Sequence, residues 1–198
     1  MGGDWYDLFE TPAGAVVAVI GDVVGHGIAA VATMARVRHV LSAHLFAGLS
    51  PSEALKRTNE AMIALNEPEH RMATATIVAV DATRRRVVVS HAGHPPTAIR
   101  SAAGTRLLLE PRDVPLGVLD GFVWSEESIM VEPPTLLLLY TDGWIDYPGA
   151  DHEDQLEAVV AVVAEAPFGA GEVIRAFQKR FEDAERADDA AALALVIL

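Results

Sequence analysis

Residues 15–41 read AVVAVIGDVVGHGIAAVATMARVRHVL, and this stretch carries the strongest structural signal in the chain. Its first part, residues 15–24, is rich in β-branched side chains and ends at Gly25, a pattern typical of a buried strand. After Gly27 the apolar residues follow helical spacing, and Gly48 ends that pattern. The stretch therefore predicts a strand that passes through a glycine-rich acidic turn directly into a helix.

The rest of the chain is predicted to contain several consecutive strands and helices that follow one another in pairs. Ser50 as N-cap, Pro51 at the first helical position and Glu53 predict a second helix that ends near Leu65. The strands predicted after it are residues 74–81, 87–91, 97–100, 106–109, 123–131 and 136–141. Two further helices and a last strand follow, at residues 153–165, 171–184 and 191–198. This order predicts an α+β fold without βαβ alternation.

The size and composition of the chain narrow the protein class. It has 198 residues, 51% of them apolar, and no cysteine. A chain of this size can bury about 70% of its surface, so one domain over residues 1–198 folds without a disulfide or metal staple. The lack of cysteine excludes a disulfide framework, a CxxC zinc site and a cysteine nucleophile. The longest apolar runs fall short of the ~18 residues of a membrane span, so we expect a cytoplasmic protein without a membrane partner.

The charge of the chain is unevenly distributed. Acidic residues outnumber basic ones by 28 to 15, a net charge of −13, so we expect no nucleic-acid partner. The thirteen acids from Asp113 to Glu172 are accompanied by no Lys or Arg. This segment is either a solvated acidic face or the source of a field that attracts cations and basic partners.

Four short motifs place a carboxylate where a predicted strand meets a turn. They are GGDWYD at 2–7, GDVVGHG at 21–27, TDG at 141–143 and ADDA at 187–190. Asp beside Gly is common in turns for local hydrogen-bonding reasons, so each motif alone favours a structural role. The set is different, because three predicted buried strands each deliver a carboxylate at one end. Like charges that converge in a partly dry site cannot all stay ionised without cations between them.

The donor types in these motifs indicate which metal would fit. Carboxylate oxygens, without cysteine and without a histidine pair at ligand spacing, favour Mg²⁺ or Mn²⁺ over Zn²⁺. Two such ions about 3.5–4 Å apart are a known device for in-line attack of water on phosphorus. Chemistry of this kind needs no protein nucleophile.

Six motifs in order carry a family resemblance: GGDWYD, GDVVGHG, AGHPP, PLGV, TDG and a final DD before the last strand. The chain resembles the metal-dependent PPM (type-2C) serine/threonine protein phosphatases, and in detail their bacterial SpoIIE-like branch with its RsbU-type regulators. The similarity covers almost the whole chain. It implies an α/β/β/α sandwich, two antiparallel sheets flanked by helix pairs, with a binuclear Mn²⁺/Mg²⁺ site at one end.

The resemblance assigns the first metal to the N-terminal half of the chain. It implies that the Asp22 carboxylate bridges both ions and that the backbone carbonyl of Val23 is a further ligand to one of them. Asp4 serves that same ion, directly or through water. Asp22 thereby becomes catalytic through a metal-bound water.

The second metal falls to the C-terminal half. The resemblance implies that Asp142 and Asp188 hold it, with Asp189 as the alternate to Asp188, and that Asp142 also acts through the metal-bound water. His26 is a candidate general acid for the leaving serine oxygen, because His titrates near neutral pH. The alternative for His26 is that it caps or packs the helix that begins at Ile28.

The implied function is hydrolysis of phosphoserine or phosphothreonine in a protein, with a phosphorylated anti-anti-sigma (STAS) protein as the implied substrate. One alternative is a degenerate phosphatase fold that acts as a non-enzymatic interaction or switch module, and another is a phosphoesterase for small phosphate esters. We also expect the chain to be a domain excerpted from a longer protein with an upstream sensor or regulatory domain. On this view it lacks the family's first strand, ahead of GGDWYD.

Overall fold

The computed structural model describes residues 2–65, 72–146, 149, 151–182 and 189–198. The strands within these ranges are β1 (Trp5–Glu10), β2 (Val16–Val23), β3 (Ala73–Val80), β4 (Arg86–Ala92), β5 (Thr97–Ser101), β6 (Gly104–Leu108), β7 (Glu127–Met130), β8 (Thr135–Tyr140) and β9 (Ala192–Ile197). The helices are α1 (Ile28–Phe46), α2 (Pro51–Ala64), α3 (His152–Glu165) and α4 (Ala170–Arg180). A short 3₁₀ turn covers Asp142–Trp144.

The strands form two antiparallel sheets that pack face to face. The first sheet has the order β1-β2-β3-β4-β7, and the second has the order β6-β5-β8-β9. Helices α1 and α2 contact the first sheet, whereas α3 and α4 contact the second. The predicted α+β class and the α/β/β/α sandwich are therefore confirmed.

The continuous apolar run of β2 is explained by burial on both of its faces. Val17 and Val19 belong to the apolar layer between the first sheet and helices α1 and α2. Ala18 and Ile20 belong to the layer between the two sheets. A strand covered on both sides shows no polar alternation, and this is why residues 15–24 stand out in the sequence.

The start of α2 also follows the sequence pattern. The Ser50 hydroxyl accepts the backbone N–H of Glu53 at 3.5 Å, and Pro51 takes the first helical position. Pro is tolerated there because its missing N–H has no partner inside the helix. The second helix was thus predicted from interactions local to its own first turn.

The sequence prediction missed strand β1. Its exposed side chains include Tyr6 and Leu8, while Asp7 is directed inward and accepts hydrogen bonds from Arg38 on α1. This arrangement inverts the usual alternation of apolar inside and polar outside. The pattern therefore did not indicate a strand, although Trp5 is buried in the core.

Two predicted elements are shorter in the structure. The predicted strand 123–131 is reduced to β7, because Trp124 is buried and its indole N–H donates to the carbonyl of Val114 at 2.9 Å, outside the sheet. The predicted helix 171–184 ends at Arg180, and residues 183 and 184 lie outside the described residues. Among the described residues, no helix is both long and apolar enough to cross a membrane.

Candidate metal centre

The pairing of β1 with β2 brings the first two predicted carboxylates together. Trp5 pairs with Gly21 in an antiparallel register. One residue further along, the same register sets Asp4 opposite Asp22. Both residues therefore lie at the same end of the first sheet.

Thr141, which follows β8, connects the second sheet to this end of the first sheet. The Thr141 hydroxyl donates to Oδ2 of Asp4 at 2.8 Å and accepts the backbone N–H of Ala191 at 2.9 Å. Asp142 is the next residue and opens the 3₁₀ turn. One buried hydroxyl thus joins the start of β1, the end of β8 and the residues that lead into β9.

The backbone at residues 2 and 3 approaches the candidate ligands closely. A Cβ on Gly3 would collide with the carbonyl oxygen of Val23 and would lie 2.6 Å from Oδ1 of Asp22. A Cβ on Gly2 would collide with the side-chain carboxylate of Asp189. Glycine is needed at position 3, because the colliding atoms there include the backbone of Val23, whereas at position 2 a side chain would have to displace the Asp189 carboxylate.

Burial and neighbouring carboxylates both act on the pKa of Asp4. The pKa of Asp4 is raised to about 8, first because burial disfavours its charged form. The negative charges of Asp22 and Asp142 and a side-chain hydrogen bond with Asp22 raise this pKa further, against the lowering effect of the Thr141 hydroxyl. Two carboxyl groups in contact require either a shared proton or a cation between them.

This donor set fits a hard divalent cation in its chemistry. Carboxylate oxygens and a backbone carbonyl are the ligands that Mg²⁺ and Mn²⁺ prefer. Within the part of the chain that the structure describes, no group of three or more His, Asp or Glu side chains is arranged so that it could hold a metal ion. Asp188, which the sequence analysis placed on the second metal, lies outside the described residues.

Two histidines singled out by their motifs occupy different environments. His26 lies on an exposed loop before α1, and its role as general acid stays a prediction. His94 is buried, and its Nδ1 lies 2.8 Å from the Thr74 hydroxyl. Thr74 pairs with Asp22 across β2 and β3, so His94 supports the sheet directly behind a candidate ligand.

A cleft of about 890 Å³ opens beside the carboxylates. Its lining includes Asp142 and Asp146, the buried His91 and His94, and Arg112. The sequence analysis did not single out Arg112 or His91 as site residues. Arg112 immediately precedes the long segment without Lys or Arg, and this position was the one signal that would have drawn attention to it.

The two histidines in the cleft wall carry no charge at neutral pH. Burial lowers the pKa of His91 to about 4, against a raising effect of the Asp113 charge. Burial also lowers the pKa of His94 to about 3, with a further contribution from His91. Of His91, His94 and Arg112, only Arg112 therefore carries a positive charge at neutral pH.

Comparison with known proteins gives consistent matches over most of the chain. The family model for stage II sporulation protein E (SpoIIE) matches residues 12–197. The phosphoserine phosphatase RsbP of Bacillus subtilis (strain 168) is 30% identical over 149 residues, which are 74% of this chain and 37% of RsbP.

Solved structures agree with the fold. The structure of the RsbU and RsbW domains of Rv1364c from Mycobacterium tuberculosis matches with a TM-score of 0.87 and 28% identity, over 98% of this chain and 56% of that one. The structure of RsbX in complex with magnesium has a TM-score of 0.73 at 18% identity, over 99% of this chain and 88% of that chain. The chain thus spans little more than a third of RsbP and just over half of the Rv1364c chain.

Proposed function

This chain belongs to the SpoIIE family of PPM-type protein serine/threonine phosphatases, and from that premise we propose that it removes phosphate from phosphoserine or phosphothreonine in a regulatory protein. The reaction depends on two bound Mn²⁺ or Mg²⁺ ions. One observation carries the proposal: the Thr141 hydroxyl donates to Asp4 at 2.8 Å, and this bond joins the end of the first sheet that carries Asp4 and Asp22 to the end of β8, where Asp142 follows.

Two groups of ligands hold the ions in this proposal. Asp22, the Val23 carbonyl and Asp4 would hold the first ion, and Asp22 would also be a ligand of the second. Asp142 would hold the second ion together with Asp188, for which Asp189 is the alternate. A Cβ on Gly2 would collide with the Asp189 carboxylate, and this closeness supports a place for Asp189 near the centre.

The chain's own residues orient the site, and the ions supply its reactivity. When bound, two divalent cations would activate a water molecule for attack on phosphorus and offset charge on the phosphoryl oxygens. The Thr141 hydroxyl fixes Oδ2 of Asp4, so the other oxygen of that carboxylate is the one directed to a ligand role. Asp4 must lose its proton to bind a cation, because a ligating carboxylate is deprotonated.

We propose a phosphorylated STAS-type anti-anti-sigma protein as substrate, within a cytoplasmic pathway of sigma-factor regulation, and a sensor or regulatory domain as the partner in the complete protein. Support for this comes from the relatives, because RsbP is named a phosphoserine phosphatase and RsbU and RsbW domains share one chain in Rv1364c. In this pathway the enzyme's product is the unphosphorylated regulator.

The proposal is tested by phosphate release with Mn²⁺, with Mg²⁺ and after chelation with EDTA. Substrates are a phosphoserine peptide, a phosphorylated STAS protein and p-nitrophenyl phosphate. We expect metal-dependent release and a higher kcat/KM for the phosphoprotein than for the small ester. A folded protein that binds Mn²⁺ but releases no phosphate from any substrate would instead favour the non-enzymatic switch module, and a preference for small esters would favour the phosphoesterase.

A further inference from the structure

Arg112 is the one Lys or Arg side chain among the described residues that line the cleft beside the candidate metal centre. It is exposed on the loop between β6 and β7 and shares the cleft with Asp142. The cleft is thus bounded by a candidate metal ligand and also by one fixed positive charge.

The backbone around Arg112 is held firmly against the end of β4. The N–H of Gly93 donates to the carbonyl of Asp113 at 2.9 Å, and the Asp113 carboxylate accepts the N–H of Ser125 at 2.5 Å. Gly93 has a φ of +66°, and a Cβ there would collide with Pro115. The loop that carries Arg112 is therefore packed onto the same sheet end as the candidate ligands.

The guanidinium of Arg112 is oriented but is not neutralised by a neighbour. Its Nε donates to the carbonyl of Leu109 at 3.2 Å. Within the described ranges, the structure gives Arg112 no ion pair with an acidic side chain. One edge of the guanidinium is therefore bound to the protein's own backbone, and the remaining N–H groups are open to a ligand.

The charge of the cleft shows what such a cation is needed for. Four acidic side chains line it besides Asp142, namely Asp113, Asp146, Glu153 and Glu157. A phosphate dianion that enters this cleft meets repulsion from its walls even when the charge of the metal ligands is offset by bound cations. An arginine in the same cleft counteracts this repulsion, and its planar N–H pairs match phosphoryl oxygens in geometry.

We propose that Arg112 binds the phosphoryl oxygens of the phosphorylated residue and so positions it beside the carboxylate centre. The inference rests on the proposed phosphatase function and adds to it a substrate-binding residue that comes from the loop between β6 and β7. The ligand recognised is the phosphate monoester itself, and the protein that carries it is recognised elsewhere.

Kinetics with matched variants test this inference. We expect Arg112→Ala to raise KM by about 10- to 100-fold, the range for loss of a hydrogen bond to a charged partner, for a phosphoserine peptide and p-nitrophenyl phosphate alike. Arg112→Lys keeps the charge but loses the planar pair of N–H donors. Its KM should therefore lie between that of the wild type and that of Arg112→Ala. Arg106→Ala is the control, because Arg106 is an exposed arginine on β6 and is absent from the cleft lining. A rise in KM for the peptide alone would overturn the assignment to the phosphoryl group.

Binding without turnover separates this inference from the proposed function. The probe is a peptide with a non-hydrolysable phosphonate in place of phosphoserine, added to the Mn²⁺-loaded protein and compared with the unphosphorylated peptide. Arg112→Ala should remove the preference for the phosphonate, whereas Arg106→Ala should keep it. If the wild-type protein releases phosphate but Arg112→Ala matches Arg106→Ala in both assays, the inference fails and the function stands. If the wild-type protein releases no phosphate but its phosphonate binding needs Arg112, the function fails and the inference stands.

Discussion

The hydroxyl of Thr141 donates a 2.8 Å hydrogen bond to the carboxyl of Asp4, two residues 137 positions apart in the sequence. This bond connects the end of β8 in the second sheet with the residue that precedes β1 in the first. The carboxylate centre therefore depends on how the two sheets are docked, and each sheet by itself holds only part of the ligand set.

Replacing the Thr141 hydroxyl should weaken both the fold and the metal site. Thr141→Val removes the bond from the buried Thr141 to Asp4 and leaves the backbone N–H of the partly buried Ala191 without its acceptor. We expect a loss of about 1–3 kcal/mol in the free energy of unfolding, measured with urea, and weaker Mn²⁺ binding. Thr141→Ser keeps the hydroxyl and should stay near wild type in metal affinity, and equal affinities for the two variants would contradict this role.

A methyl group at residue 3 should damage the metal site more than the fold. In Gly3→Ala the added Cβ collides with the Val23 carbonyl and crowds Asp22. Because displaced ligands bind metal poorly, we expect Mn²⁺ affinity to fall by about 10- to 100-fold in calorimetric titration.

Gly171→Ala provides the matched control for this change. Gly171 lies in the first turn of α4, where the nearest atom to an added Cβ is the flexible Arg175 side chain at 3.3 Å. This variant should keep wild-type Mn²⁺ affinity. A similar affinity loss in both variants would mean that the effect is a general one of substituting glycine.

The ion pair between Arg38 and Asp7 should stabilise the docking of α1 on β1. Nη2 of Arg38 lies 2.6 Å from the Asp7 carboxylate, and the Ser42 hydroxyl donates to the same group at 2.9 Å. Since Asp7 is largely buried, a double-mutant cycle with Asp7→Asn and Arg38→Met should give a coupling energy of about 1–2 kcal/mol in urea unfolding.

An exposed pair offers the comparison for that cycle. Arg57 and Glu53 form a 2.9 Å ion pair on the surface of α2. Their coupling should be weaker than that of the Asp7 pair, because solvent screens exposed charges. If the Asp7 pair couples no more strongly than this surface pair, it does not contribute to holding α1 in place.

The buried His91 should make the protein less stable in mild acid. The pKa of His91 is lowered from 6.5 to about 4 by burial, with His94 beside it and the Asp113 charge acting in the opposite direction. Between pH 6.5 and 4 the unfolded chain takes up this proton and the folded chain does not, so stability falls as the pH is lowered through that window and is unaffected above it.

Substitution of His91 isolates this contribution. His91→Gln removes the titrating group and keeps a polar side chain near the Thr76 hydroxyl, which lies 2.9 Å from Nδ1 of His91. The difference in unfolding free energy between pH 7 and pH 4.5 should be smaller in this variant than in the wild type, by up to about 3 kcal/mol. Equal pH dependence in the two proteins would show that His91 is not the source.

Features of the fold that depend on near neighbours could be predicted from the sequence. The strand before Asp22 and the capped start of α2 at Ser50 are examples, because burial on both faces and an N-cap both leave a local pattern. Strand β1 could not be predicted in this way. The inward position of Asp7 is explained only by Arg38, 31 residues away.

The residues of the candidate site also differ in whether near neighbours in the sequence or long-range contacts determine their place. Carboxylates at strand ends leave a local pattern, so the sequence indicated Asp22, Asp142 and the pair Asp188 and Asp189 as candidates for one site, whereas Asp4 was added by the family resemblance. Arg112 was missed because its cleft forms only when the loop after β6, the end of β4 and helix α3 come together. The residues next to Arg112 in the sequence give no indication that these three elements come together around it.

The most direct test of the central claim is Mn²⁺-dependent phosphate release from a phosphoserine peptide by the wild-type protein and by Asp22→Asn. Asp120→Asn, a change at an exposed loop residue, is the control, and circular dichroism checks that all three proteins are folded. We predict that Asp22→Asn falls to the level of the EDTA-treated wild type while Asp120→Asn stays fully active. Metal-dependent activity that persists in a folded Asp22→Asn variant would contradict the assignment of this carboxylate centre as the active site.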